Sequence, residues 1–122
     1  MTVEVIGVDH VYVTVSDLRC SEEFYDRAMG VLGFRKGRSP IGGDPHVHYY
    51  NRQYGYSLRP AREGAPDHDP YAPGLHHFCF RVIDEVAVNR AARELGEAGV
   101  EVTNFREKRR RLMYDWEARE DL

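Results

Sequence analysis

Two stretches of this chain alternate apolar and polar residues with a period of two, and each runs into a stretch whose apolar residues recur at helical spacing. In the first, Val11, Val13 and Val15 make one apolar face, while Val8, His10, Tyr12 and Thr14 share the other. Asp17 stands where an N-cap is expected. Leu18, Tyr25 and Leu32 follow at seven-residue spacing with Phe24, Ala28 and Met29 beside them, which predicts an amphipathic helix to about Gly30. In the second stretch, Leu75 to Val82, Phe78, Phe80 and Val82 form the apolar face and Leu75, His77, Cys79 and Arg81 the other. Asp84 takes the cap position, and Val88, Ala91, Ala92 and Leu95 form the helical stripe. The units close on matching turns, Leu32-Gly33-Phe34 and Ala98-Gly99-Val100; 67 residues separate His10 from His77, and 66 separate the turns. A repeat of that length is a duplicated supersecondary unit and not a solenoid period.

Between the two units the pattern predicts strands around Phe34 to Lys36, His46 to Asn51 and Tyr54 to Arg59. Pro40 to Pro45 makes the first turn, and Arg52-Gln53 turns the second hairpin. Pro60 to Pro73 holds four prolines and reads as the linker between halves. After Val100 only 22 residues remain, and the second half departs from the first. Val100 to Thr103 reads as one short strand. Asn104-Phe105-Arg106-Glu107 is a capping-box pattern. Phe105, Leu112, Met113 and Trp116 then fall at helical spacing in a charged segment, predicting a C-terminal helix over about 105–118.

At 122 residues the chain is long enough for one domain with a real core. A formal charge of −3 with interleaved signs leaves no electrostatic footprint for nucleic acid. No apolar run approaches the ~18 residues of a membrane span, and the first residues lack signal-peptide character. A cytoplasmic protein is expected. Cys20 and Cys79, without CxxC spacing, read as free thiols in a reducing compartment, with Cys79 expected buried. Only two of the 17 basic residues are lysines, an arginine bias of the kind GC-rich bacterial codons produce.

The candidate chemistry starts from the two histidines. A lone strand histidine is commonly a satisfied core or surface residue, but two at equivalent repeat positions can present imidazoles to one metal ion between the halves. His48 and Tyr50 alternate to one side of their strand and are candidates for acid/base work or for orienting a phenolate. Arg59 and Arg81 can pair with a substrate carboxylate, and Tyr12 and Cys79 share the histidine-bearing faces as further substrate contacts. The bland readings stand beside these: His46 and His48 exposed on a hairpin, the arginines as surface ion-pair partners, and the tyrosine-rich run from Tyr49 to Tyr56 as an edge or a dimer contact. Lys108 to Arg111 reads as the solvated face of the last helix.

The motif from Asp9 to Leu18, followed by Phe24-Tyr25 and Leu32-Gly33-Phe34, resembles the opening of the vicinal oxygen chelate superfamily, the glyoxalase, bleomycin-resistance and extradiol-dioxygenase group. Gly74 to Val82 is similar to the start of its second module. The resemblance covers residues 6 to about 100. It implies an α+β fold of paired βαβββ modules whose curved mixed sheet encloses a cavity, with module 1 over about 6–60, a linker at 61–73 and module 2 over about 74–103. Here the second module is incomplete and a C-terminal helix follows.

The resemblance places His10 and His77 at the metal-ligand positions and turns His76 toward the helix side or solvent. Glu101 takes the carboxylate position if Val100-Glu101-Val102 is the final strand. By internal repeat, the same residues begin an earlier strand. The first module's carboxylate position falls near Ser57, which supplies no charged ligand. His10, His77 and Glu101 together would resemble the two-His, one-carboxylate set that leaves positions open on a divalent Fe, Mn, Ni or Zn ion. The implied function is a metal-dependent enzyme, a lyase, isomerase or dioxygenase, that chelates vicinal oxygens of a small molecule. Glu101 would then serve both as ligand and in catalysis. The alternatives are a metal-free, bleomycin-resistance-like protein that sequesters a drug, or an inactive shortened homologue. Exposed sheet edges in a shortened module point to a homodimer.

Overall fold

Asp17 and Asp84 each stop a strand and start a helix, and the two events set the architecture. The computed structural model describes residues 1–102 and a strand at 111–113. The first half runs β1 (His10–Val15), α1 (Leu18–Val31), β2 (Arg35–Ile41), β3 (Asp44–Tyr50) and β4 (Gly55–Pro60). The second half supplies β5 (Cys79–Arg81), α2 (Glu85–Glu97) and β6 (Arg111–Met113). Asp17 accepts a hydrogen bond from the Cys20 amide at 3.0 Å and Asp84 one from the Ala87 amide at 2.8 Å, so each satisfies an orphan amide of the first turn.

Both helices end in the same Schellman geometry. The Phe34 amide donates to the Met29 carbonyl and the Val100 amide to the Leu95 carbonyl, each at 2.9 Å. Gly33 (φ 82°) and Gly99 (φ 84°) hold the left-handed residue that the motif requires. The duplication is therefore real at the level of strand, cap, helix and cap.

The first half folds into a mixed four-stranded sheet of order β1-β4-β3-β2, with β1 parallel to β4 and the other pairs antiparallel. The β2–β3 hairpin turns through Gly42 and Gly43, both at positive φ (60° and 86°), the combination a two-residue type I′ turn demands. Its register sets Pro40 opposite Pro45. Neither residue has an N–H, so the pair occupies a non-hydrogen-bonded position and no ladder bond is lost.

Alternation then sorts the side chains. Val11, Val13, Val15, Val47, Tyr49, Tyr56 and Leu58 face α1, whose Tyr25, Ala28 and Met29 are buried against them. The Tyr49 hydroxyl donates to Asp26 at 2.8 Å, and Lys36 bridges Glu22 and Asp26, so polar contacts tie α1 to β2 and β3 at the rim of the core. His10, Tyr12, His46, His48, Ser57 and Arg59 emerge on the opposite face.

The second half is shorter than its repeat predicts. The strand expected over Leu75 to Val82 is only Cys79–Arg81, and residues 100–102 form no strand. Within the segment predicted as a C-terminal helix, residues 111–113 are instead β6, antiparallel to β5 with Cys79 opposite Met113. A short strand leaves backbone groups that need a partner, and that long-range pairing outweighs the helical spacing of Leu112 and Met113. The rest of the predicted helix, its capping box and Thr103 lie outside the described residues. No described helix is long and apolar enough to cross a membrane.

Candidate functional site

The polar face of the four-stranded sheet gathers imidazoles. Tyr12, on β1, sets its ring edge-on to three of them, with centroids 5.4 Å from His10, 5.8 Å from His46 and 6.3 Å from His48. Register explains the cluster: Tyr12 lies opposite Ser57, and Ser57 opposite His48. Three adjacent strands thus each contribute a polar side chain to one patch. A recess of about 340 Å³ opens beside it, lined by His10, Tyr12, Tyr50 and Ser57 and rimmed by the turn from Asn51 to Gly55.

His48 sits at the centre of a hydrogen-bonded row. Its Nδ1 lies 2.6 Å from the Ser57 hydroxyl and its Nε2 lies 2.7 Å from the Ser39 hydroxyl. Burial, with the stacked His46 adding repulsion, holds the imidazole below the ordinary histidine value of 6.5. The expected hairpin exposure is corrected here: His46 is 4% exposed, its Nδ1–H donating to the Asp44 carbonyl at 3.0 Å, and His48 is half-buried. A histidine kept neutral in the fold makes the unfolded state the better proton acceptor between the lowered value and 6.5. His48 therefore contributes stability that is present above 6.5 and is lost as pH falls from there through the lowered folded value. Urea unfolding at about pH 7.5 and about pH 5 should show a drop that is smaller in His48→Gln.

His10 is held differently. Its Nδ1–H donates to the Asp9 carboxylate at 2.7 Å, which fixes the tautomer and leaves a lone pair on Nε2 of a side chain 59% exposed. His77 is also exposed, and its Nδ1 shares a hydrogen bond of 2.7 Å with Nδ1 of His76. Glu101 is exposed beyond α2. Among the described residues no group of three or more His, Cys, Asp or Glu side chains is placed to hold a metal ion. His10, His77 and Glu101 are each exposed, and no such group joins them among the described residues.

The other candidates fall into two places. Arg59 stays on the polar face, but its guanidinium already meets Asp44 at 2.7 Å, and Arg62 adds a second contact at 3.1 Å. Both arginines hold the Asp44 carboxyl below the usual carboxylate range. Cys79 and Arg81 line a second recess, of about 650 Å³, at the outer side of β1, where Val8, Val11, Tyr54, Phe78 and Phe80 supply apolar walls. Cys79 is exposed and not buried as expected. Tyr50 is exposed at the rim of the smaller recess. Sequence reasoning missed Asp9 as the partner of His10, and Ser39 and Ser57 as the partners of His48.

Comparison with known proteins gives the chain a family and a fold. Residues 7–111 match the model of the Glyoxalase/Bleomycin resistance protein/Dioxygenase superfamily. The chain belongs to that superfamily. A glyoxylase/bleomycin resistance protein/dioxygenase domain from Frankia sp. EAN1pec is 26% identical, with a TM-score of 0.63 over 82% of this chain and 79% of that one. A mutant of the fosfomycin resistance protein FosX from Listeria monocytogenes, complexed with Mn(II) and 1S,2S-dihydroxypropylphosphonic acid, is 16% identical. It shares the fold, with a TM-score of 0.59 over 94% of this chain and 88% of that one. Among curated protein sequences none gives a significant match.

Proposed function

We propose that this superfamily member is a metal-dependent enzyme acting on a small oxygenated molecule, with each metal site completed between two copies of the chain. The observation that carries the reading is the Asp9–His10 pair. A carboxylate that fixes an exposed imidazole by its Nδ1 is the outer-shell arrangement of a histidine ligand, yet among the described residues no group of three or more donors is placed to complete a site. His77 and Glu101 are exposed as well and are available to a second copy. The surface beside β1 fits an interface: Val3, Val5, Ile6 and Val8 are 65–93% exposed, and β1 is an edge of its sheet. FosX carries Mn(II) on this fold. A divalent Fe, Mn, Ni or Zn ion would supply Lewis-acid stabilisation of adjacent substrate oxygens.

The chain's own residues do the rest. His48, neutral near pH 7 and hydrogen-bonded to the recess residue Ser57, can accept a proton, and Tyr50 can donate or hold one. Tyr12 packs against the ligand. Cys20 and Cys79, which no disulfide joins among the described residues, fit a reducing cytoplasm. Elemental analysis of protein purified without chelator or affinity metal should give about one equivalent of metal per chain, lost in both His10→Ala and His77→Ala. Absence of metal, with none taken up on titration, would sink this reading.

One observation favours a second reading. The larger recess is walled by Tyr54, Phe78 and Phe80, with Tyr54 and Phe80 stacked at 5.6 Å, and suits a flat aromatic compound. A metal-free protein that binds such a compound there would be a sequestering member of the superfamily. Quenching of intrinsic fluorescence by aromatic drugs, weakened in Phe80→Ala, would identify it.

A further inference from the structure

We infer that Ser39, His48 and Ser57 form a serine-nucleophile site, in which Ser39 attacks activated aryl esters with His48 as its base and Ser57 holding the imidazole. The inference shares His48 and Tyr12 with the metal proposal but uses none of its metal donors and does not depend on a bound metal. Its basis is the row of three side chains across β2, β3 and β4, with hydrogen bonds of 2.7 Å and 2.6 Å on the two ring nitrogens of one histidine. A nucleophile within hydrogen-bond reach of a base that a third group orients is the general form of a hydrolytic triad. The exposures have the right polarity. Ser57, the orienting group, is 4% exposed beneath the recess, while Ser39 is exposed on the edge strand and open to a substrate.

With Nδ1–H donated to Ser57, Nε2 accepts from the Ser39 hydroxyl. The proton of Ser39 passes to Nε2 as its oxygen bonds to the ester carbonyl carbon. The tetrahedral adduct then collapses with cleavage of the bond to the aryl oxygen, and the aryl oxide recovers the proton from Nε2. Water, deprotonated by His48, attacks the acyl-Ser39 carbonyl and releases the carboxylic acid and free Ser39. Nothing is oxidised or reduced.

The third member also sets the substrate class. A serine hydroxyl fixes the tautomer as an aspartate would, but it brings no negative charge to stabilise the imidazolium. The site is therefore matched to esters whose leaving group departs with little help, such as phenyl esters, and not to amides. Tyr12, 6.3 Å from His48, provides aromatic surface for the leaving ring.

The test is incubation of the full chain with an alkyl fluorophosphonate, followed by intact-mass and peptide analysis. One adduct per chain at Ser39 is expected, absent in Ser39→Ala, whose side chain is exposed and whose fold circular dichroism would check. His48→Gln should slow labelling about 100-fold or more, the scale of a general base. Ser57→Ala should slow it about five- to tenfold, the worth of one neutral hydrogen bond, and should alter the His48 ring-nitrogen NMR shifts that report the tautomer. Chelator should leave the labelling rate unchanged, which separates this site from the metal proposal. Absence of an adduct, an adduct that persists in Ser39→Ala, or a rate unaffected by His48→Gln would each overturn the inference.

Discussion

Leu58→Ala is expected to destabilise the domain by about 2–5 kcal/mol, a large share of the ~5–15 kcal/mol typical of a folded domain. Leu58 is 0% exposed and lies mid-strand in β4 between Val13 of β1 and Val47 of β3. Valines and tyrosines close around it, with Tyr25 and Met29 of α1 in the same cluster. A cavity there is only partly filled by relaxation, because most of the flanking residues are strand-bound valines and tyrosines whose rotamers are few. The urea midpoint should fall steeply with the slope unchanged, since the same surface is exposed on unfolding. Ile83→Ala, at a residue 84% exposed, removes a similar side chain and should cost no more than about 0.5 kcal/mol. Equal effects in the two variants would mean that the core is not centred on β4. The adjacent Ser57 and Arg59 emerge on the polar face, so the packing of Leu58 is also what holds Ser57 under His48.

The face on which each residue lies was legible in the sequence, whereas its neighbours were not. Period-two alternation put His10, Tyr12 and Thr14 together on β1, and His48 with Tyr50 on β3, and the structure keeps both sets. The two caps and the two glycine turns were equally plain, because capping is decided within four or five residues. Register is a different matter. The row Ser39–His48–Ser57 exists only because Gly42 and Gly43 fix a two-residue turn and because β3 pairs with β4 so that His48 faces Ser57. A slip of one residue would turn Ser57 to the helix side, and nothing local to Ser57 chooses between the two. The same limit explains β6. The spacing of Phe105, Leu112, Met113 and Trp116 satisfies a helix, but the pairing of Arg111–Met113 with β5 comes from a partner some thirty residues away. His77 and Glu101 were placed by repeat and by resemblance, which carry no information on which copy of the chain they serve.

Mixing two inactive variants gives the sharpest test of a shared metal site. His10→Ala and His77→Ala should each bind no metal alone. Unfolded together in equal amounts and refolded, about half of the dimers are mixed, and each mixed dimer has one site with both substitutions and one with neither, so about a quarter of the native metal content should return. The arithmetic depends on each site drawing His10 from one copy and His77 from the other. If both came from one chain, every chain in the mixture would lack a ligand and no metal would return. The structure motivates the first outcome through two exposed donors: His10, aligned by Asp9, and His77, tied to His76. It supplies the surface through the apolar segment before β1, which a second copy would cover. Substituting Val5 and Ile6 by Asp should therefore abolish both the dimer and the recovered metal, while the core around Leu58 stays folded. Charged residues cost too much to bury in a contact and nothing to leave in water. Recovery of metal in that variant would detach the site from this surface and place the second donor set elsewhere.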